Sequence, residues 1–581
     1  MTGWRITREQ LWYALAFCIA LILRLAALGT APLSDPEAQL ALQSLAISRG
    51  THAVLSGQPG GLLVSSALFF LLGSSNFAAR LWPALAGSLL VLAPLGLRRW
   101  LGGRAALALA FFLALDPGLV ALSRQVGSPL PAIAFSLLAI GFWQAKKPVW
   151  TGIAAGLALL GGPQVWNGLL GIGAALAVTW LLDRIGPAQA SDASPAEVEP
   201  VDASGACFAW PAAGLALAMT LAAVGTLFWL APEGLSALGA SLSAYFGTWV
   251  TGSGIPAVRL LQALAGDEFL FVSLAIWGLW RGLRGRSRLD AVLGIWFLAA
   301  LALAALPTGR QVESLGWALI PLLGLAARGV AEIPFGEEDH ERIPTWVYTA
   351  AVAGILGFTW LSLTAMLLAW QQGDPKLILE TSLRIGGGVI LLASATFLVG
   401  WGWSAHVAGQ GALRGLLLAL VIYQLSAATA AAGWRLTPPA EVWDSAPRPQ
   451  AAQFLGETVQ DLSRWRTGDA RTLDLVVLGE QAPSLAWYLR DMTAAQMTLQ
   501  LAKTASPSLV ITPQQDQPPQ LAATYRGQSF AWDTSPDWGA MSAQAWVNWA
   551  VFRTAPLRED AIILWARTDV FLGANLSPTG P

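Results

Sequence analysis

Two acids, Asp35 and Glu37, stand two residues apart in the segment LGTAPLSDPEAQLALQSLAISRG (28–50), just beyond the first apolar run. Carboxylates so placed at a membrane surface can hold a divalent cation or act as acid and base toward a hydroxyl group. The same four residues, Ser34-Asp35-Pro36-Glu37, also read as a helix N-terminus. Ser34 or Asp35 would cap it, Pro36 would sit in the first turn, and Glu37 would suit the positive end of the helix dipole. Both readings stand on this segment alone. Four arginines form a second set: Arg24, Arg80, Arg124 and Arg310 fall within or beside apolar runs. A guanidinium there is costly and offers fork-like donors that match phosphate. Snorkelling to the interface or pairing with a carboxylate would serve it equally. Asp116, directly before Pro117, reads as a cap or a partner for a neighbouring group.

The composition fixes where these residues must act. Of 581 residues, 55% are apolar and only 12% are charged, against about 25% charged in soluble domains. Mean hydropathy is +0.55. A soluble globular enzyme and a disordered chain are excluded. A net charge of −1 leaves no basic field for a nucleic-acid partner. Cys18 and Cys207 read as apolar packing residues, and His52, His340 and His406 are too scattered to suggest a metal cluster. Metal dependence, through Asp35 and Glu37 with a ligand phosphate, stays open.

A membrane span takes roughly 20 apolar residues. The pattern predicts about 13 spans, near 11–28, 77–97, 105–123, 129–145, 148–162, 166–182, 208–231, 268–280, 289–306, 311–330, 346–370, 383–403 and 412–432. Segment 59–73 is apolar but short and reads as an interfacial helix. With 59–73 held out of the membrane, Arg5, Arg8, Arg98, Arg99, Arg104, Lys146, Lys147 and the run RGLRGRSR (281–288) all fall on one side. The positive-inside rule makes that side cytoplasmic. The first span reads as a retained anchor rather than a cleaved leader. Tryptophans near span ends, such as Trp12, Trp100, Trp150 and Trp401, suit an interfacial belt. Nothing in their surroundings singles out Trp532 or Trp538 for stacking on a sugar.

Residues 1–433 are thus expected to form the membrane domain. It has a first external loop at 29–76, a Pro-, Ala- and acid-rich cytoplasmic linker at 183–206, and a long external loop at 232–267 with an amphipathic stretch. The acidic run 337–341 reads as a solvated loop. Beyond 433 no run is long enough to cross. LDLVVLG (473–479) and SLVITP (508–513) read as strands around a helical stretch at 483–492, which predicts a small external α/β domain at 434–581. No Walker motif and no strand-linked GxGxxG occur.

The order of features resembles the GT-C superfamily of membrane glycosyltransferases, more narrowly its protein O-mannosyltransferase and aminoarabinose-transferase type. The resemblance rests on Asp35-Pro36-Glu37-Ala38, the helix at 59–73, NFAARLWPALAG (76–87), ALDPGLVALSRQ (114–125) and PTGRQVESLGWALIPLLGLAA (307–327). AWYLRDM (486–492) resembles a group of such proteins with a C-terminal soluble domain. The resemblance implies a sugar donor on a polyprenyl-phosphate carrier, reached from the membrane at its outer face. It implies Asp35 and Glu37 as catalytic residues, with Arg310, Arg124 and Arg80 binding the lipid phosphate. Where the family has adjacent acids, this chain has Pro36 between them. Neutral or apolar residues stand at Gln58, Ser128, Asn167 and Ser314, where the family often has charged or aromatic ones. These departures keep a second reading open: a catalytically degenerate GT-C scaffold, binding lipid and meeting a protein partner through 434–581. A secondary transporter is disfavoured, since no matched pair of broken helices is visible.

Overall fold

The computed structural model describes residues 7–51, 55, 57–185, 208–333, 342–435, 440–444, 446–479, 482–502, 504–515 and 522–572. Most of the expected linker 183–206, the acidic run 337–341, and His52, His340 and Cys207 lie outside the described residues.

Each of the 13 expected spans coincides with a helix, as backbone polar groups in hydrocarbon require. Among the described residues, seven helices are both long and apolar enough to cross: Asn76–Leu101, Val165–Leu182, Arg288–Ala305, Val312–Ala331, Arg342–Gln372, Pro375–Gly402 and Ala405–Ala431. Two bent pairs raise the number to nine. One is Gly103–Leu115 with Pro117–Ser123, bent by 56° where Pro117 removes a backbone donor. The other is Ala257–Asp267 with Phe269–Arg284, bent by 90°. Leu130–Gln144, Pro148–Leu159 and Trp210–Val224 are apolar but shorter. The chain is a multi-pass membrane protein. Small residues set its closest helix contacts: Gly152 and Gly156 face Ala213 and Thr220 of Trp210–Val224, where any side chain would strike backbone or methyl atoms. The stretch 232–267 is helical over most of its length, as Glu233–Val250 and Ala257–Asp267. Helix Pro59–Leu72 starts at the expected place, with Pro59 in its first turn.

Beyond the last long helix the described residues form one six-stranded sheet. Its strands are β1 (Arg448–Pro449), β2 (Leu475–Leu478), β3 (Ala495–Thr498), β4 (Leu509–Pro513), β5 (Tyr525–Pro536) and β6 (Leu557–Arg567). Their order is β1-β5-β6-β4-β2-β3. β2 is parallel to both β3 and β4, and the other pairs are antiparallel. Leu455, Val459, Leu475, Val477, Leu509, Ile511 and Phe530 fill a core of their own. β2, β4 and the helix Pro483–Tyr488 lie where the sequence placed strand, helix and strand.

Two seams join this unit to the helices. In the first, Trp487 is completely buried, packed with Leu33, Ala38, Ala41, Phe69 and Ala78. Its indole N–H donates to Asn76 Oδ1 at 2.9 Å. Asn76 Nδ2 donates to the Tyr488 hydroxyl at 3.1 Å, and Arg490 donates to Ser74 O at 3.0 Å. Leu485 and Leu489, on the other face, enter the sheet's core. The AWYLRDM stretch is therefore a rivet with one face in each unit. In the second seam, Trp443 and Trp549 are buried in the main core of the membrane helices. Buried Arg553 is ion-paired with buried Asp267. Trp443 Nε1 donates to the same carboxylate at 2.8 Å. Beside them lies Glu441, also buried, neither of whose oxygens is hydrogen-bonded among the described residues.

Candidate active site

Helix Asp35–Ser48 is capped by Ser34, and Pro36 occupies its first turn. Glu37 reaches back to accept from Ser34 N at 3.2 Å. The helix-start reading of this segment therefore holds, and it controls the chemistry. At 3.6 residues per turn, side chains two apart diverge by about 200° around the axis. The two acids cannot share a cation; they face different parts of the molecule.

Glu37 faces inward. It accepts from Arg80 Nε at 2.9 Å and Arg80 NH2 at 2.7 Å, in a bidentate pair with both side chains almost fully buried. Val126 N donates to Oε1 at 3.0 Å, and Arg448 of β1 lies 3.4 Å from Oε2. Burial pushes this carboxyl's pKa up. The Arg80 and Arg448 charges, the Arg80 hydrogen bonds and the Val126 N–H outweigh burial and hold the pKa down at about 2. Arg80 is equally committed. Its other N–H groups go to the carbonyls of Leu28, Ala31 and Pro32 at 3.3, 2.7 and 2.9 Å. The pair thus ties the start of Asn76–Leu101 to the chain entering the first loop.

Arg124 fixes the other end of that loop's entrance. Its guanidinium donates to the carbonyls of Leu23, Arg24, Ala26 and Ala27 at 2.8 to 3.2 Å. A cation at this helix C-terminus satisfies carbonyls that have no partner within the helix. Arg124 also lies within electrostatic reach of Arg80 and Arg448, so the three form one basic group. Arg310 stands apart. It donates to Ala305 O at 2.9 Å and Ile255 O at 3.0 Å, and no contact joins it to Arg80 or Arg124 among the described residues. Its NH2 carries no hydrogen bond to the described residues, whereas every Arg80 nitrogen is engaged. Arg24 is buried on the carbonyls of Leu113 and Ala114. Asp116 caps helix Pro117–Ser123 by accepting from Leu119 N at 2.7 Å.

Asp35 faces the opposite way, toward the sheet. Its Oδ1 accepts from Ser484 N at 2.9 Å, at the head of the riveting helix. Its Oδ2 has no hydrogen-bond partner among the described residues. Asp35 lines a polar cleft of about 340 Å³ whose other walls come from β2, β4, β5 and β6. A general base needs this geometry: one oxygen held in place and the other open to a hydroxyl group. Among the described residues, no group of three or more His, Cys, Asp or Glu side chains is arranged to hold a metal ion.

Three contributors escaped the sequence reading. Arg448 donates to Pro32 O at 2.6 Å and ion-pairs with Asp444. It belongs to a polar run with no motif, hundreds of residues from Glu37. Ser484 acts through its backbone, which no side-chain pattern reveals. Glu313, three residues after Arg310, lies within electrostatic reach of Asp444 and Glu37.

Residues 42–183 match the family model for dolichyl-phosphate-mannose-protein mannosyltransferase. No curated protein matches the chain by sequence. The whole structure resembles ArnT from Cupriavidus metallidurans. With ArnT in the apo state the TM-score is 0.52 at 15% identity, covering 98% of this chain and all of that one. With ArnT bound to undecaprenyl phosphate it is 0.51 at 13% identity, covering 97% and 99%. At such low identity the agreement is one of architecture, and it covers nearly all of both chains. The chain has the fold of the GT-C superfamily of membrane glycosyltransferases.

Proposed function

We propose that the chain is a membrane glycosyltransferase that takes its sugar from a polyprenyl-phosphate carrier and passes it to an acceptor hydroxyl. The observation that carries this reading is Asp35. On the first loop of a GT-C fold, it is clamped by Ser484 N through one oxygen and opens into a cleft through the other. In this reading Asp35 takes the acceptor's proton as its oxygen attacks the anomeric carbon. The carbon–oxygen bond to the phosphate breaks, and the carrier leaves as polyprenyl phosphate. Arg310 and Arg124 stabilise the charge on that leaving group, and Arg448 lies within electrostatic reach of Arg124. The ArnT structure with undecaprenyl phosphate supports such a carrier. Arg80 and Glu37 act as positioning residues, since their polar atoms are already matched to each other and to the loop.

We place the division between membrane domain and soluble domain at 433/434. The basic residues at 98–104, 146–147 and 281–288 support a cytoplasmic N-terminus, with the cleft and the sheet at the outer face.

The scaffold reading keeps one observation in its favour: with every Arg80 nitrogen and both Glu37 oxygens engaged, two of five sequence-derived site residues have nothing left to offer a ligand. One experiment decides. Protein reconstituted with polyprenyl-phosphate-linked sugars should transfer sugar, and Asp35→Asn should lower the rate by roughly 100-fold or more. Transfer that survives Asp35→Asn would reject the mechanism. Wild-type protein that binds carrier in native mass spectrometry but never transfers would establish the scaffold.

A further inference from the structure

The cleft beneath Asp35 has features that the reading above does not use. It lies at the carboxyl ends of β2 and β4, where Val477, Leu478, Ile511, Thr512 and Pro513 form one wall. β2 sits between β3 and β4 and is parallel to both. The chain leaves β2 toward β3 on one side and returns to β4 on the other. Such a reversal opens a crevice past the strand ends, the place where open α/β sheets bind ligands. Its volume of about 340 Å³ falls within the ~300–1,000 Å³ of small-molecule sites.

The opposite wall carries two acids and a bulge. Asp533 and Asp560 are direct cross-strand partners of β5 and β6, and both line the cleft. Like charges opposite one another weaken a sheet. Immediately before Asp533 the β5–β6 register shifts, which makes Trp532 the extra residue of a bulge. Bulges re-aim side chains. Trp532 lines the cleft, is 2% exposed, and its indole N–H has no hydrogen-bond partner among the described residues. An unmatched buried donor is costly unless something accepts from it. With Asp35, the lining among the described residues holds three carboxylates and no lysine or arginine.

We propose that this cleft is the acceptor subsite, and that it takes a carbohydrate headgroup carrying no negative charge. Hydroxyl groups would donate to Asp533, Asp560 and Gln514 and accept from Trp532 Nε1. The apolar faces of Val477, Leu485 and Ile562 suit the underside of a sugar ring. Three carboxylates repel phosphate or carboxylate ligands, so the anionic carrier belongs on the arginine side and the acceptor on the sheet side, with Asp35 between. The proposal rests on the glycosyltransferase reading for its word "acceptor", but binding can be tested without activity.

The experiment is saturation-transfer NMR on the full-length protein in nanodiscs. The probes are trehalose (neutral), glucosamine (cationic) and glucuronate (anionic). Wild type should bind trehalose and glucosamine and not glucuronate. Trp532→Phe, which keeps the ring and removes the N–H, should weaken trehalose at least fivefold. Asp533→Asn with Asp560→Asn should admit glucuronate, since it removes two of the negative charges that line the cleft. Glucuronate binding as well as trehalose, no binding of any sugar, or affinities unmoved by both variants would overturn the subsite. Asp35-dependent transfer with an acceptor KM unchanged by Trp532→Phe would retain the enzyme and reject the subsite. Sugar binding that responds to both variants, without transfer from any carrier, would do the reverse.

Discussion

Glu37 and Glu441 are both buried carboxyls at a seam between membrane helices and sheet, and each lies near an arginine from beyond residue 433. Their fates are opposite. Glu37 receives both edges of Arg80, a backbone N–H and the field of Arg448, and stays ionised with a pKa held near 2. Burial pushes Glu441 up to about 8; Arg553 and Arg435 counter this only in part, and Asp267 and Asp444 work against them. Arg553 is already ion-paired with Asp267. Burial alone does not decide the charge of an acid. What decides it is whether an arginine is dedicated to that acid or shared with another. Where the ratio is one to one, the seam is a fixed joint; where acids outnumber arginines, the seam responds to protons.

Three changes probe that contrast. The largest effect should come from Arg80→Ala. It strands Glu37 as an unpaired buried charge and should cost about 3–5 kcal/mol, read as a lower melting temperature in detergent. Adding Glu37→Gln to the same chain should recover part of the loss. If the double variant melts below the single one, the pair is not the closed unit described here. The second is Asn76→Ala. It leaves the Trp487 N–H unmatched in the first seam and should cost about 1–3 kcal/mol. Faster proteolysis of the sheet unit would reveal it. The third and smallest effect is that of pH. An acid whose folded pKa lies above its unfolded value favours the fold while protonated. That contribution is complete below about pH 4 and is lost as pH rises through about 8. Wild type should therefore lose on the order of 1 kcal/mol between pH 7 and 9. Glu441→Gln should flatten this slope and leave the acid limb, where Glu37 is protonated, unchanged. An equal slope in both proteins would place the titrating group elsewhere.

The helices were legible because hydrocarbon leaves the chain little choice and the apolar runs announce it. Their number was less so. Asp116-Pro117 breaks one run and Asp267-Glu268 another, and a break of one or two residues hardly alters average hydropathy. The cap at Ser34 was readable from residue types. The divergence of Asp35 from Glu37 followed from that cap and the helical period, yet the pairing of two nearby acids in sequence suggested a shared site. β2 and β4 showed as β-branched runs. β5 did not, because Gly527, Gln528, Asp533 and Pro536 interrupt its alternation, and β6 opens on the charged residues Arg558, Glu559 and Asp560. Arg310 and Arg80 looked alike as arginines beside apolar runs. Only their surroundings distinguish them, one with a free edge and the other fully engaged, and those surroundings come from distant parts of the chain.

One hydrogen bond, from Arg448 to the carbonyl of Pro32, spans 416 residues of sequence. Ser484, which holds Asp35, is more distant still. A ribosome delivers the first loop long before either contact exists. While the nascent chain threads into the membrane, Asp35 is present but unclamped, and the cleft has no second wall. The finished geometry arises only when the final hundred or so residues emerge and fold back. Chains cut short by damage or stalled translation would carry the acid without its orientation.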